Sequence, residues 1–125
     1  DQNRMSMLLA VLHRHGGINL ASHDIYANVV GGIRVFETSA DLALILATVS
    51  SMRDFSLPSE MAVFGEVGLS GEIRPVQNGQ ERLVEAKKHG FKRALIPAAN
   101  KSKSSIEGLE IDTVSGISEA LSMIC

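Results

Sequence analysis

The serine at position 39 is the residue whose chemistry decides between an enzyme and a non-enzyme. Ser39 lies in the segment RVFETSADLALILATVSS, where a polar turn passes into a run of apolar residues. A serine hydroxyl becomes a nucleophile only when a neighbouring base removes its proton, and a helix N-terminus adds N–H groups that stabilise an oxyanion. A helix cap is the favoured interpretation on chemistry alone, because Thr38 and Asp41 have capping-box spacing. On that interpretation, Ser39→Ala costs about 1 kcal/mol of stability.

No histidine is an evident base for this serine. The spacing of the four histidines places none of them beside Ser39, and a histidine is more often a packed or surface residue. The candidates, by residue type alone, are His13, His15, His23 and His89. We predict no metal site, because no two potential ligands have recognisable zinc spacing and His13 and His15 point to different sides of a helix.

Helical periodicity predicts four helices around this segment. The first has its apolar residues at helical spacing on one face, and the second is apolar on nearly all sides and therefore buried. In the third, Asn78 and Glu81 have capping-box spacing and Gly90 is placed to end the helix. The predicted ranges are 1–15, 39–53, 78–89 and 116–124.

The predicted strands are shorter than the helices and include one hairpin. Residues 61–67 and 72–76 fit a hairpin that turns at Ser70 and Gly71, whereas residues 24–37 fit two strands or one bent strand. A short buried strand at 93–97 and a half-exposed strand at 109–114 complete the set. Because hairpin and βαβ-like connections are mixed, we predict one α+β domain over residues 1–125, with mixed sheets and flanking helices.

The charges are unevenly distributed along the chain. Residues 82–103 hold seven basic residues and one acidic residue, a balance of +6, while the rest holds five basic and thirteen acidic residues, a balance of −8. Such a cluster can contact nucleic-acid phosphates, which makes Lys87, Lys88, Lys92 and Arg93 candidate DNA-binding residues. A solvated helix face is the favoured alternative, because aromatic residues are few.

The cysteine content fits a reducing compartment. Its single cysteine cannot form an internal disulfide, and no signal peptide or membrane span is evident, so we predict a cytoplasmic location. The sequence begins within a helical pattern and without an initiator methionine. We therefore expect a piece of a longer protein.

Two segments together resemble the proteolytic domain of the Lon protease family. They are ETSADLALILATVSS and FGEVGLSGEIRPVQNGQERLVEAKKHGFKRALIPAAN. In that family a proline-serine-alanine-glycine turn opens a buried helix. A GE…GxIxPV hairpin then leads to a glycine-glycine-leucine-lysine segment, a helix and an IP…N strand end. The resemblance covers nearly the whole chain from Ile18 onward. It implies a Lon-protease-like domain with the fold of ribosomal protein S5 domain 2.

The resemblance places this family's catalytic dyad on Ser39 and Gln80. Gln80 stands where the family has its lysine base, and an amide nitrogen has no lone pair available for proton abstraction. Lys87 is seven residues further along the helix, about 10 Å away, which is too far for a base. Asp41 replaces a glycine and puts a negative charge beside any oxyanion. We therefore predict vestigial dyad positions and no catalysis in this domain. A residual Ser39-dependent serine hydrolase with an unrecognised base is the alternative.

The resemblance extends through the first helix to a bacterial family of recombinational DNA-repair ATPases with a Lon-like C-terminal domain. The segments that carry it include DQNRMSMLLAVLHRHGG and NVVGGIRVFETSADLALILA. It implies a longer protein with an N-terminal zinc finger and a RecA-like ATPase domain. Neither is expected in residues 1–125, because they hold no CxxC pair and no GxxxxGK[ST] motif.

That resemblance also implies a function. The family drives branch migration of DNA recombination intermediates as a homohexameric ring, together with a RecA-type recombinase. The implied cofactors are ATP, Mg²⁺ and Zn²⁺ for the full-length protein and none for this domain. We expect the Lon-like domain to hold the ring together and to offer a DNA platform, without proteolysis.

Overall fold

A computed structural model describes residues 2–18, 38–58, 60–101 and 105–124 and shows helices and strands in mixed order. The helices are α1 (Gln2–Gly16), α2 (Asp41–Arg53), α3 (Gly79–Lys88) and α4 (Ile117–Ile124). The strands are β1 (Met61–Val63), β2 (Glu66–Val67), β3 (Ile73–Arg74), β4 (Arg93–Pro97) and β5 (Glu110–Val114). The strands predicted at 24–37 lie outside the described residues, as do His23 and Lys103.

The strands form two sheets of different kinds. In the larger sheet β4 lies between β1 and β5 and is parallel to both, with Ala62 opposite Ala94 and Leu95 opposite Asp112. In the smaller sheet β2 and β3 form an antiparallel hairpin. The connection from β1 to β4 runs through this hairpin and α3. The mixture confirms the predicted α+β class.

The core is divided by strand β4, which is buried from Ala94 to Pro97. Successive strand residues point to opposite faces of a sheet, so Leu95 faces one side and Ala94 and Ile96 face the other. The first, which we call the three-helix side, buries Leu8, Val11, Leu12, Ile18, Leu42, Ile45, Leu46, Val49, Val67, Ile73, Leu95, Val114, Ile117, Ala120 and Leu121. The second, the α3 side, buries Phe64, Leu83, Ala94, Ile96 and Leu109.

The strand predicted at 61–67 is interrupted at Phe64 and Gly65. The Gly65 N–H donates to the carbonyl oxygen of Ser39 at 2.8 Å, and the Gly65 carbonyl accepts from the Leu42 N–H at 3.0 Å. Because this peptide bonds to the start of α2, the chain leaves the parallel sheet after β1 and enters the hairpin at β2.

The capping box predicted for α3 is wrong. Asn78 is the N-cap residue, but it lies in the left-handed region (φ 60°) and its side chain makes no cap hydrogen bond. The segment before α3 is held instead by Asn100, whose Oδ1 accepts from the Val76 N–H at 2.8 Å and whose Nδ2 donates to the Val76 carbonyl at 2.9 Å. Gly79 must be small, because a Cβ there would lie 2.6 Å from Asn100 Nδ2.

Candidate functional site

Ser39 lies in a 3₁₀ turn, Thr38–Ala40, directly before α2. Its side chain is buried, at 9% exposure. Its carbonyl binds Gly65, the residue that follows β1 and Phe64, so Ser39 lies at the edge of the parallel sheet where the strands end. We call this the carboxyl edge, and the opposite one, where the strands begin, the amino edge.

The helix-capping role predicted for Ser39 is not what α2 displays. The N-cap residue of α2 is Ala40, and no side chain makes a cap hydrogen bond there. The 3₁₀ turn moves the start of the α-helix to Asp41, two residues beyond the serine. The Leu42 N–H, one of the donors that a helix N-terminus could offer to an oxyanion, is bonded to Gly65 instead.

Asp41 has a structural role that the sequence did not reveal. Its carboxylate is 2% exposed and accepts from Arg4 through both oxygens: Nε donates to Oδ1 at 3.1 Å, and Nη2 donates to Oδ2. The Val67 N–H also donates to Oδ2, at 3.0 Å. These bonds join α1, the start of α2 and the hairpin.

The Arg4–Asp41 pair corrects one sequence expectation. We expected Asp41 to place a negative charge beside Ser39, but the guanidinium of Arg4 balances that charge. The hydrogen bond to Asp41 is the largest cause of a raised pKa at Arg4. The two residues are separated by 37 positions, so no sequence spacing could have paired them. A buried acid at the start of an apolar helix was the only signal.

Gln80 lies at the same carboxyl edge as Ser39. It is exposed in the first turn of α3, next to Gly79, which packs against Asn100 just after β4. The structure therefore brings the two dyad positions of the Lon resemblance to one edge of the sheet. The side chain that α3 contributes to this edge is the neutral amide of Gln80, which cannot act as a general base.

Lys87 lies at the amino edge. Its Nζ packs over Gly108, which precedes β5, so closely that a side chain at Gly108 would collide with it. The two edges are separated by the length of β4, about 13 Å at 3.3 Å per residue. Lys87 is therefore not placed to act as a base for Ser39.

The described histidines lie elsewhere. His15 packs against Gly71 in the hairpin turn, and its carbonyl accepts from Ser118 Oγ at 2.7 Å. His89 follows α3 and lies 3.3 Å from a carboxylate oxygen of Glu85, at the amino edge. His13 is exposed on α1.

The candidate DNA-binding residues lie at or near the amino edge, and acidic residues accompany them. Exposed ion pairs join Lys88 to Glu85 at 3.9 Å, Lys92 to Glu60 at 3.8 Å, and Arg93 to Asp112 at 3.8 Å. Glu60 and Asp112 lie outside the basic stretch in sequence, and folding brings them to it. The local positive charge is therefore smaller than the sequence balance of +6 indicates.

The described part of the chain lacks two further features, a metal cluster and a membrane-spanning helix. There, no group of three or more His, Cys, Asp or Glu side chains is arranged to hold a metal ion. No described helix combines the length and the apolar character needed to cross a membrane.

Comparison with known families identifies the class of protein. Residues 4–100 match the family model described as subunit ChlI of Mg-chelatase. This match covers more than half of the chain, so the chain belongs to that family.

Individual relatives are named for a different activity. The chain is 62% identical to the DNA repair protein RadA of Escherichia coli (strain K12) over 123 residues, which are 98% of the chain and 27% of that protein. It is 47% identical to the RadA of Aquifex aeolicus over 99% of the chain and 28% of the relative. For the RadA of Bacillus subtilis (strain 168) the values are 42%, 97% and 27%.

These matches confirm the relationship to a bacterial DNA-repair family that the resemblance indicated. The chain spans about a quarter of the length of the curated relatives that it matches, and the match falls in their C-terminal portion. The family description and the relatives' names refer to different activities, so family membership by itself does not specify a reaction.

Proposed function

We propose that the chain is a non-proteolytic, Lon-like scaffold domain of a RadA-type protein in recombinational DNA repair. The observation that carries the proposal is at the carboxyl edge, where the amide of Gln80 stands at the position that the Lon resemblance gives to the lysine base. The similarity to several DNA repair proteins over nearly the whole chain supports the repair context.

The chemistry of the carboxyl edge supports a role without catalysis. A serine nucleophile needs a proton acceptor within about 3 Å. The carboxylate of Asp41 is the nearest in sequence among the described acids, but Arg4 and the Val67 N–H occupy its oxygens. The amide of Gln80 is not basic, and Lys87 lies at the amino edge.

The wider role in this proposal belongs to the longer protein. It is an ATP-driven, hexameric branch-migration protein that acts on DNA recombination intermediates with a RecA-type recombinase, in the cytoplasm. ATP, Mg²⁺ and Zn²⁺ would bind outside the present chain. Within it, the domain supplies contacts between subunits and a platform for DNA.

The DNA platform is assigned to the amino edge. Lys87, Lys88, Lys92 and Arg93 are all exposed there. If phosphates replaced the carboxylate partners of Lys88, Lys92 and Arg93, counterions bound to the DNA would be released. Replacing Lys92 and Arg93 together with glutamine should weaken DNA binding and reduce the salt slope by about two. Glu60→Gln should strengthen binding, because it frees Lys92. Unchanged affinity and salt slope in both variants would contradict this assignment.

A peptidase assay tests the absence of catalysis. The chain, its Ser39→Ala variant and its Gln80→Lys variant are incubated with unstructured protein substrates and with a serine-reactive fluorophosphonate. We expect no serine-dependent turnover or labelling in the unmodified chain. Turnover that disappears in Ser39→Ala would overturn the proposal. The Gln80→Lys variant shows whether the substitution at this position alone explains the inactivity.

A further inference from the structure

The tip of the β2–β3 hairpin presents a leucine to solvent. Leu69 is 72% exposed, more than the other large exposed apolar side chains of the described residues, Met123 at 46% and Val84 at 39%. Turn positions usually hold polar residues or glycine. A leucine at the tip therefore requires an explanation beyond the turn itself.

This tip is held by several hydrogen bonds. The Gly68 N–H donates to the Glu72 carbonyl at 2.9 Å, and the Gly71 N–H donates to the Gly68 carbonyl at 3.0 Å. Oε1 of Glu72 accepts from the Ser70 N–H at 3.1 Å, and Oε2 accepts from Arg74 at 3.1 and 3.2 Å.

Further bonds fix the hairpin to the junction between β5 and α4. The Ile73 N–H donates to the Ser115 carbonyl and the Ile117 N–H donates to the Gly71 carbonyl, both at 2.9 Å. An apolar side chain on a preorganised turn loses little conformational entropy on binding. Leu69 therefore has the properties of an anchor for a protein partner.

A complementary surface lies on α3. Val84 shares its helix face with Gln80 and Lys88, four residues before and after it, and Glu81 and Lys87 border the same face. The apolar centre is thus flanked by charges of both signs. The hairpin carries the matching set, since Leu69 is accompanied by the acidic Glu72 and the basic Arg74.

The two surfaces lie on opposite sides of the parallel sheet. The hairpin residues Val67 and Ile73 belong to the core of the three-helix side, whereas Leu83 of α3 belongs to the core of the α3 side. A contact between them cannot form within one chain. Between two chains it joins different surfaces, so it is heterologous and leaves one free surface of each kind for further copies.

We propose that the hairpin tip of one copy docks through Leu69 onto the Val84 face of α3 in a second copy of this chain. Glu72 faces Lys88 and Arg74 faces Glu81 across the contact. The inference rests on the proposed assembly role and names the surfaces that perform it. Lys88 then serves the subunit contact, which leaves Lys92 and Arg93 as the main candidates for DNA.

Sedimentation of single variants tests the two surfaces. We expect the unmodified chain to self-associate with rising concentration. Leu69→Ser and Val84→Ser should each raise the dissociation constant by at least about 10-fold, the effect of an interface hot spot. Met123→Ser removes an exposed apolar side chain of α4 and serves as the matched control, with no change expected.

A mixture of the two variants tests the head-to-tail geometry. The Val84→Ser copy keeps an intact hairpin and the Leu69→Ser copy keeps an intact α3 face, so an equimolar mixture should form dimers that do not grow further. If Leu69 instead contacted Leu69, Val84→Ser alone would associate like the unmodified chain and adding the Leu69→Ser copy would increase association no further, and the inference would be overturned.

A charge exchange tests the orientation. Glu72→Lys should weaken association, and Lys88→Glu in the second copy should restore it. Association that is unaffected by either apolar substitution would remove this inference and leave the assembly role standing. A chain that stays monomeric at all concentrations would remove both, whereas the peptidase assay tests the absence of catalysis separately.

Discussion

The two sides of the parallel sheet differ in how many elements cover them and in the size of the core beneath. The three-helix side packs α1, α2, α4 and the hairpin over one continuous core and joins three of these elements through the Arg4–Asp41 pair. The α3 side has a single described helix and a core of five buried residues, one of them on that helix. Most of the outward residues of α3 are exposed and charged or polar.

The difference indicates that the two sides of the sheet have different roles. The three-helix side maintains the fold and fixes the base of the hairpin, while α3 offers a surface that can meet another molecule without disturbing the core. The two dyad positions of the Lon resemblance, Ser39 and Gln80, lie at the carboxyl edge, where the two sides meet. There the Ser39 carbonyl binds the Gly65 N–H after β1, and Asp41 holds α1 through Arg4.

Substitutions that create one cavity in each core should give the largest changes in the free energy of unfolding. Leu46 and Leu83 are buried to the same degree, on the three-helix side and the α3 side respectively. We expect Leu46→Ala to cost about 4 kcal/mol and Leu83→Ala about 2–3 kcal/mol, because a single helix can relax into the space that is left. Chemical denaturation measures both. Equal losses would contradict the proposed difference between the sides.

Breaking the Arg4–Asp41 pair should cost about 3 kcal/mol. Arg4→Met leaves a buried carboxylate without its positive partner, and such losses are typically 3–5 kcal/mol. The double variant Arg4→Met/Asp41→Leu should recover part of that loss, since the uncompensated charge is gone. Chemical denaturation measures the free energy of unfolding of the single and double variants. A cost below about 1 kcal/mol for Arg4→Met would mean that the pair does not join the elements as described.

Replacing Ser39 should have a smaller effect on stability. The described part of the chain has no buried side-chain polar atom without a hydrogen-bond partner, and the hydrogen bond of a buried hydroxyl contributes about 1 kcal/mol. Ser39→Ala should therefore cost about 1 kcal/mol even though the residue does not cap α2. Ser51→Ala, on the exposed face of α2, is the control with a cost near zero. A loss of several kcal/mol would reveal a larger polar network around Ser39.

Acid should loosen the hairpin tip while leaving both cores intact. The pKa of Glu72 is lowered from its ordinary value of 4.5, first by hydrogen bonding to its own backbone N–H, then by Arg74, with a further contribution from the Ser70 N–H. Because the folded pKa lies below the unfolded one, this stabilisation is present above about pH 4.5 and is lost as pH falls through the lowered value.

Amide exchange measures this loosening. Protection at Ser70, corrected for the intrinsic rate, should fall on acidification in the unmodified chain. In Glu72→Gln it should be low at every pH. Protection that is independent of pH in the unmodified chain would show that the carboxylate does not order the turn.

Local patterns were sufficient to predict most of the fold. The strand at 93–97 was predicted with its observed limits, because a short apolar run bounded by a charged residue and a proline needs no tertiary information. The final helix was predicted to within one residue, since its apolar face repeats at helical spacing.

Features that depend on distant partners escaped prediction. The interruption at Phe64 and Gly65 follows from hydrogen bonds to Ser39 and Leu42. The segment before α3 is anchored by Asn100 and not by its own capping box, because a side chain from beyond β4 bonds the backbone at Val76. These contacts leave no local signature in the sequence.

The placement of the candidate residues was predicted in part, and their role stays a prediction. Resemblance placed Ser39 and Gln80 together, and the structure brings both to the carboxyl edge. Residue counting could not detect that Glu60 and Asp112 accompany the basic stretch, or that Arg4 neutralises Asp41. Charge along a sequence does not specify charge on a surface.

The central proposal is that this domain provides contacts to other subunits and to DNA and catalyses no reaction. Its most direct test exchanges the matching segment of E. coli RadA for this chain and measures survival after DNA damage. The account predicts that Ser39→Ala and Gln80→Ala retain repair, whereas Leu69→Ser loses it although the protein remains folded. Loss of repair in Ser39→Ala, with Leu69→Ser unaffected, would contradict the account and return Ser39 to the role of a nucleophile.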